Sequence, residues 1–311
     1  MKIAILEMGV LPETLAQKHG SFFDLIRTWL GNNEQDVALE YSQFVVCNGD
    51  ALPAPSDFDA YVVSGSKFSV YEDLPWIHAT KAFLNQVAAL KIPMFGICFG
   101  HQLMAEAFGG KVEKSDKGWG VGIDHYQFAD VEQEVLVYHQ DQVMRLPDSA
   151  QVRAHSEHCE YGALEYDFPA LSVQFHPEFT QGLVMDLLER SRSDFGEAAV
   201  TRAEAKTQHA DLHNQRIANH VVAFFQQHQT ATSAVWYKHD IRFAPLTWVL
   251  KPENRFCGEQ KSIQRLDYLF HIAEHRSAKW NLFCGAYWFL AAVVRGSEDI
   301  ENKQTQHIVS W

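Results

Sequence analysis

Ile92-Pro93-Met94-Phe95-Gly96-Ile97-Cys98-Phe99-Gly100-His101-Gln102-Leu103-Met104-Ala105-Glu106-Ala107-Phe108-Gly109-Gly110 is the stretch around which the chain can be laid out. Pro93 to Ile97 is a short apolar run of strand type. From Phe99 onward Leu103, Met104 and Ala107 recur at helical spacing, and Gly109-Gly110 supplies a stop signal. One cysteine stands between the two patterns, with glycine two residues before and two after. Glycine-x-nucleophile-x-glycine marks a sharp strand-to-helix turn whose small flanking residues permit close backbone approach. Such a turn presents the side chain at the carboxyl end of a strand and at a helix N-terminus, where the dipole favours thiolate over thiol. A core cysteine would fit the same apolar flanks, since free cysteine is among the most buried residue types.

The flanking sequence repeats the same alternation. Ile3 to Met8 is a buried-type strand. Thr14 to Leu30 carries Leu15, Phe22, Leu25, Ile26 and Trp29 mostly on one helical face, closed by Gly31. Val37 to Val46 is strand-like, and Ala60 to Val63 is a buried strand running into Ser64-Gly65-Ser66. Pro75 to Leu90 reads as a helix with proline early, where it is tolerated. This β-α-β-α order predicts an α/β fold, a mostly parallel central sheet with helices on both faces. Over residues 111–175 the texture changes to short alternating runs (Gly120–Phe128, Val135–His139, Gln151–His155, Leu171–Phe175), which predict added, partly antiparallel strands. Residues 180–195 and 200–229 read as helical.

A second stretch bears on the first. Ser172-Val173-Gln174-Phe175-His176-Pro177-Glu178-Phe179 reads as a strand ending in His-Pro-Glu. Residues two apart on a strand point the same way, so Glu178 can hold an imidazole that faces the thiol. Cysteine, base and orienting carboxylate are the parts of an activated nucleophile. Gly96-Ile97-Cys98-Phe99-Gly100-His101-Gln102 followed by Phe175-His176-Pro177-Glu178 closely resembles the class I (triad) glutamine amidotransferases. The nearest likeness is to the glutamine-hydrolysing domain of GMP synthase and its stand-alone relatives. It covers residues 1 to about 229.

The resemblance implies a flavodoxin-like sheet with catalytic residues Cys98, His176 and Glu178. Acyl transfer needs two N–H donors where the oxyanion develops. Ser64-Gly65-Ser66-Lys67-Phe68-Ser69-Val70-Tyr71 matches the family segment that supplies one of them, from Gly65, and the other falls to the N–H of Phe99. The substrate pocket implied by the family takes in Gln102 and, from Tyr138-His139-Gln140-Asp141, the positions of Tyr138, His139 and Asp141. Tyr138 stands where the family has serine. Gly118-Trp119-Gly120-Val121-Gly122 also matches a family segment, and no helix follows it as a dinucleotide fingerprint would require. The implied activity is hydrolysis of the γ-amide of L-glutamine through a Cys98 thioester; because the sequence shows no phosphate loop, either ammonia passes to a partner synthetase in trans or the reaction is plain hydrolysis. A γ-glutamyl peptidase using the same triad is the rival within the enzyme class. A catalytically weak binding or regulatory module is the rival from another class, and the complete triad speaks against it.

Composition narrows the rest. A net charge of −13 over 311 residues does not suggest nucleic-acid binding, which favours a basic face. Five scattered cysteines without a C-x-x-C pair suit reduced thiols and a cytoplasmic location. Cys47, Cys257 and Cys284 have no paired base and read as packing residues. His155-Ser156-Glu157-His158-Cys159 offers ligand types but lacks a fourth at metal spacing, so it reads as a loop near the active-site mouth. Neither metal nor cofactor is expected. The N-terminus reads as a first strand, not a signal peptide, and the longest apolar run, Leu282 to Val294, is too short to span a membrane. Residues 231–311 hold five of the eight tryptophans, with ten basic and eight acidic residues. The expectation is a domain at 1–230 and a mostly helical C-terminal extension at 231–311.

Overall fold

Ile3 and Ile5 point to one side of their strand and Ala4 and Leu6 to the other, and all four are fully buried. A strand buried on both faces must lie inside a sheet with helices above and below. The structure, a computed structural model, describes residues 1–229 with the exception of Asp36 and Asp130; the expected extension at 231–311, with Cys257 and Cys284, lies outside the described residues. In chain order the elements are β1 (Lys2–Leu6), α1 (Glu13–His19), α2 (Phe22–Gly31), β2 (Glu40–Phe44), β3 (Ala60–Val63), α3 (Pro75–Ala89), β4 (Met94–Ile97), α4 (Phe99–Ala107), β5 (Lys111–Lys114), β6 (Gly120–Phe128), β7 (Val131–His139), β8 (Asp141–Arg145), β9 (Ala150–His155), β10 (Ala163–Tyr166), β11 (Ala170–Val173), α5 (Gln181–Arg190), α6 (Arg192–Phe195), α7 (Glu197–Gln208) and α8 (Asn214–Gln227).

Nine strands form one sheet in the order β2-β1-β3-β4-β11-β10-β9-β6-β7, and β5 pairs with β8 in a separate ribbon. The run from β2 to β11 is parallel; β10, β9, β6 and β7 continue it antiparallel. The predicted α/β class with added antiparallel strands is therefore observed. One face packs Ile3, Ile5, Val62 and Phe95 with Trp29 of α2 and Val221 and Phe225 of α8. The other packs Leu6, Tyr61, Val63 and Met94 with Phe83 and Leu84 of α3 and Leu103 and Met104 of α4. A third cluster seats α1, α5 and α7 on Ile123 and Leu136 of the antiparallel extension. At about 1.5–3 kcal/mol per buried large apolar side chain, these layers are the main source of stability.

Three expectations are corrected. The helix read from Thr14 to Leu30 is two, because Gly20 turns the chain at φ 87° and Ser21 starts α2 with a reciprocal capping box to Asp24. The helix read over 200–229 is also two. The connection between α7 and α8 is held on β7, where Leu212 bridges to Glu134 and the Asp211 N–H donates to the Glu134 carboxylate at 2.7 Å. The strand read as Leu171–Phe175 stops at Val173 and pairs parallel with β4, so it belongs to the parallel half.

The glycines of the β4–α4 turn are dictated by contact. A Cβ on Gly96 would sit 2.6 Å from the Met104 sulfur, and one on Gly100 would sit 2.2 Å from the Val63 carbonyl oxygen. Gly31, ending α2, has open space, with its nearest atom 4.0 Å away. Gly100→Ala is therefore expected to cost about 3 kcal/mol through overpacking, whereas Gly31→Ala is expected to add about 0.5 kcal/mol by restricting the unfolded chain. Urea denaturation midpoints of the two variants should move in opposite directions.

Candidate active site

The parallel strands deliver their C-terminal ends to one edge of the sheet, the place where open α/β sheets bind ligands. β4 runs straight into Cys98, whose N–H donates to the Val173 carbonyl of β11 at 2.8 Å. Cys98 has φ 50° and ψ −102°, one of three non-glycine residues at positive φ among the described residues. Such a conformation costs of order 1–3 kcal/mol and persists only where packing enforces it. Here the close approaches of Gly96 and Gly100 enforce it. The residue is 5% exposed, and it lies near enough to His176 to act on the charge of that imidazole.

His176 and Glu178 lie beyond the end of β11, not on it. The chain turns at Pro177, with the Phe179 N–H reaching back to the His176 carbonyl at 3.3 Å. The pairing of the two side chains therefore comes from a turn and not from the strand alternation expected. His176 Nδ1 is 2.8 Å from Glu178 Oε1 with both residues buried. The His176 N–H donates to the Leu136 carbonyl of β7 at 2.8 Å. Phe179 stacks on the imidazole at 3.9 Å between ring centroids and 11° between planes, and Phe22 stacks on Phe179 in turn. Burial alone would lower the His176 pKa. The Glu178 charge outweighs it, with Cys98 adding to the effect, and the imidazole is lifted to about 10. Glu178 Oε2 has no hydrogen-bond partner among the described residues, so this buried carboxylate leans on His176.

Gly65 lies two residues beyond the end of β3 and faces the imidazole: a Cβ there would lie 2.9 Å from His176 Cε1 and 3.5 Å from the Phe22 ring. Its loop is tied to the end of β1, since the Met8 N–H donates to Ser64 Oγ at 2.9 Å and Ser66 Oγ donates to the Met8 carbonyl at 2.7 Å. Among the described residues, neither the Gly65 nor the Phe99 N–H meets an acceptor. Phe99 follows Cys98 directly at the head of α4, and Gly65 lies beside the His176 ring.

The other expected site residues are placed less uniformly. Gln102 is buried, and its Nε2 donates to the Asp141 carbonyl at 2.7 Å and to Gln174 Oε1 at 3.0 Å, so its side-chain donors are engaged within the protein. Asp141 takes hydrogen bonds from Ser69 Oγ at 2.5 Å and the Tyr71 hydroxyl at 3.2 Å, which joins β8 to the Gly65 loop. His139 is buried beside His158, ring centroids 5.8 Å apart, with no partner for Nε2 among the described residues. Burial, helped by the neighbouring His158 and His176, lowers its pKa to about 3. Tyr138 is engaged within the protein: its hydroxyl is 2.5 Å from Ser191 Oγ and its ring packs against Trp119 and Phe195. Sequence reasoning missed Phe22 and Phe179. Phe179 lies next to the His-Pro-Glu motif, but nothing in the sequence points to Phe22, which arrives on a helix 154 positions earlier than His176.

No group of three His, Cys, Asp or Glu side chains among the described residues is placed to hold a metal ion. Cys159 is buried, and burial pushes its thiol up to about 12. No helix among the described residues is long and apolar enough to cross a membrane.

Comparison with known proteins follows the same outline. Residues 25–191 match the family model described as glutamine amidotransferase class-I. The chain is similar to gamma-glutamyl peptidase 4 of Arabidopsis thaliana, 28% identical over 195 residues that cover 57% of this chain and 76% of that protein. It is similar to the glutamine-hydrolyzing GMP synthase subunit of Methanopyrus kandleri, 38% identical over 103 residues, 28% of this chain and 52% of that one. The crystal structure of a glutamine amidotransferase from Methylobacillus flagellatus shares the fold with a TM-score of 0.57 at 20% identity, covering 74% of this chain and 95% of that chain.

The His176–Glu178 pair has a pH signature. A histidine lifted from 6.5 to about 10 stabilises the fold below pH 6.5 and loses that contribution as pH rises toward 10. Glu178→Gln removes the charge that lifts it. The stability gap between wild type and Glu178→Gln is expected to be widest below pH 6.5 and to narrow steadily up to pH 10, as read from urea midpoints across that range.

Proposed function

The chain belongs to the class-I glutamine amidotransferase family, and from that premise we propose that Cys98 is the nucleophile of a γ-glutamyl transfer to water, with L-glutamine as its simplest substrate. The observation that carries this reading is the strained Cys98 at the head of α4, close to an imidazole that a buried carboxylate holds at 2.8 Å. In the reaction proposed, Cys98 Sγ attacks the γ-carbonyl carbon and the tetrahedral oxygen settles between the N–H groups of Gly65 and Phe99. Donors of that kind are typically worth about 10²–10³ in rate each. His176, already an imidazolium that holds the thiol's proton, leaves Cys98 to attack as a thiolate and gives that proton to the departing nitrogen, so that the C–N bond breaks as ammonia or an amine leaves. A water molecule, deprotonated by His176, then cleaves the γ-glutamyl thioester to glutamate. Glu178 keeps the imidazole in the orientation both steps need. Gln102, His139 and Asp141 form the wall between α4 and β8 on which the amino-acid end of the substrate would rest. Phe179 and Phe22 are positioning residues, since they hold the ring and meet no reacting atom.

A second reading keeps every one of these steps and changes only the leaving group. The match to the Arabidopsis gamma-glutamyl peptidase spans 57% of this chain, against 28% for the match to the Methanopyrus GMP synthase. That difference favours γ-glutamyl peptides as substrates alongside glutamine. If ammonia from glutamine is used, the acceptor is activated by a synthetase in trans. We assign the reaction to residues 1–230 and the thiol chemistry to a reducing compartment such as the cytoplasm.

Cys98→Ala is expected to remove ammonia release from glutamine and amine release from γ-glutamyl peptides by several orders of magnitude while the protein stays folded, as measured by steady-state assay alongside circular dichroism. A glutamine-analogue electrophile should label Cys98 and spare Cys159, whose thiol burial holds in its neutral form. Peptide mass mapping that places the adduct on another cysteine, or activity retained in Cys98→Ala, would sink the assignment.

A further inference from the structure

The two backbone donors assigned to the oxyanion stand on elements held in very different ways. The Phe99 N–H heads α4, which the close approaches of Gly96 and Gly100 dock onto β3 and β4. Gly65 opens a loop that leaves the sheet. Ser64 still pairs with β1, its N–H donating to the Leu6 carbonyl at 3.0 Å. From Gly65 to Tyr71, however, no backbone group hydrogen-bonds to the backbone of another element among the described residues. Side chains therefore decide where the Gly65 N–H stands relative to α4.

Ser66 ties the near end of the loop through its bond to the Met8 carbonyl. At the far end Val70 is buried, and its carbonyl accepts from Lys81 Nζ of α3 at 2.8 Å. The remaining tie is Asp141, the first residue of β8. Ser69 Oγ donates to one of its carboxylate oxygens at 2.5 Å and the Tyr71 hydroxyl to the other at 3.2 Å. The Asp141 carbonyl accepts from Nε2 of Gln102 at 2.7 Å, and Gln102 lies one helical turn beyond Cys98 on α4. β8 pairs with β5 in a ribbon apart from the nine-stranded sheet, so no ladder of that sheet fixes this spacing. One residue thus joins the helix that carries the Phe99 N–H to the loop that carries Gly65.

We propose that Asp141 is a positioning residue for the oxyanion hole: held by Gln102 at its carbonyl and holding Ser69 and Tyr71 with its carboxylate, it sets the spacing between the Gly65 and Phe99 N–H groups. The proposal rests on the acyl-transfer reading above and deepens it. With both oxygens engaged in this way, the carboxylate is committed to the loop and not to the amino group of the substrate. An ionised acceptor makes hydrogen bonds about twice as strong as a neutral one, so a carboxylate suits a loop that has no backbone ties of its own. Its effect belongs to the transition state, because the oxyanion exists only after the thiolate has attacked. A misplacement of about 1 Å can cost about a hundredfold in rate, so small movements of this loop are large in kinetic terms.

The test is steady-state hydrolysis by the full chain of glutamine, or of a γ-glutamyl peptide where that is the better substrate. Asp141→Ala should lower kcat by about tenfold with KM within about twofold of wild type, because one oxyanion donor is displaced and not removed. Ser69→Ala/Tyr71→Phe leaves β8 and its carboxylate in place and should lower kcat to within about threefold of the same value; adding Asp141→Ala to it should cost no more than about twofold further, since all three side chains act through one contact. Asp141→Asn still accepts from one hydroxyl and donates to the other, and should return kcat to within about threefold of wild type. Circular dichroism checks that each variant is folded, and if Asp141→Ala is not, the loop pair carries the same readout. A rise in KM with kcat unchanged would place the carboxylate on the substrate. Losses that multiply in the triple variant would mean that Asp141 acts elsewhere than on the loop. Either result overturns the proposal, as does wild-type kcat in the Asp141 and loop variants, and all three leave the γ-glutamyl reading standing. A wild type that hydrolyses neither glutamine nor γ-glutamyl peptides defeats that reading and the proposal together.

Discussion

The backbone of Cys98 is the constraint on which the rest of the site depends. A non-glycine residue at φ 50° is unfavourable by itself, and the turn that holds it works only because α4 can approach β3 and β4 closely. Gly100 lies so near the Val63 carbonyl, and Gly96 so near Met104, that any side chain at either place would push the helix off the sheet. That close docking aims the thiol out of the sheet edge and leaves the Phe99 N–H free at the start of the helix. It also sets the depth at which the Gly65 loop and the His176 turn must meet the sulfur. Strain in one residue is thus held by packing spread over three strands and a helix.

Around that residue the electrostatics are arranged by burial. Glu178 and His176 are both within the protein, where an isolated charge is costly and a close pair is tolerated. The imidazole is therefore driven toward its protonated form by the carboxylate behind it. The neighbouring His139 is driven the opposite way, to about 3, and so is the buried His101, which pairs with Ser172 Oγ at 2.8 Å. One charged ring among neutral ones keeps the cationic character where the sulfur is, with no rival cation in the buried wall. The aromatic stack of Phe22 and Phe179 shields that ring from water and restricts its rotation.

The antiparallel half of the sheet serves the site in another way. β7 accepts the His176 N–H through Leu136, and its pairing with β6 sets Gly120 opposite His139. The same two strands carry α5 and α7 on their outer face through Ile123, Leu136 and Ala203. Gly122, at φ 83°, lets α7 settle close to the sheet: a Cβ there would lie 3.1 Å from Ala203 Cβ. Helix α7 is positioned by this contact.

By itself the sequence determined the local grammar of the protein. Alternating buried strands and amphipathic helices specify the α/β class, because their periods of 2 and about 3.6 residues are written into the order of apolar side chains. Gly96, Cys98 and Gly100 announce the turn, since only that spacing of small residues permits it. Gly20 with Ser21 also broke a helix in plain view, although the apolar spacing ran across it. What the tertiary structure decided are the meetings between distant segments. The turn at Pro177, not strand alternation, brings Glu178 onto His176, because β11 ends two residues earlier than its apolar run. Gln102 bonds within the protein and Tyr138 faces Ser191, orientations set by neighbours from β8 and from the residue that follows α5, which no local pattern encodes. Phe22 reaches the imidazole, and α7 reaches β6, only once the sheet is assembled, because such contacts depend on strand order, and strand order is a property of the whole chain.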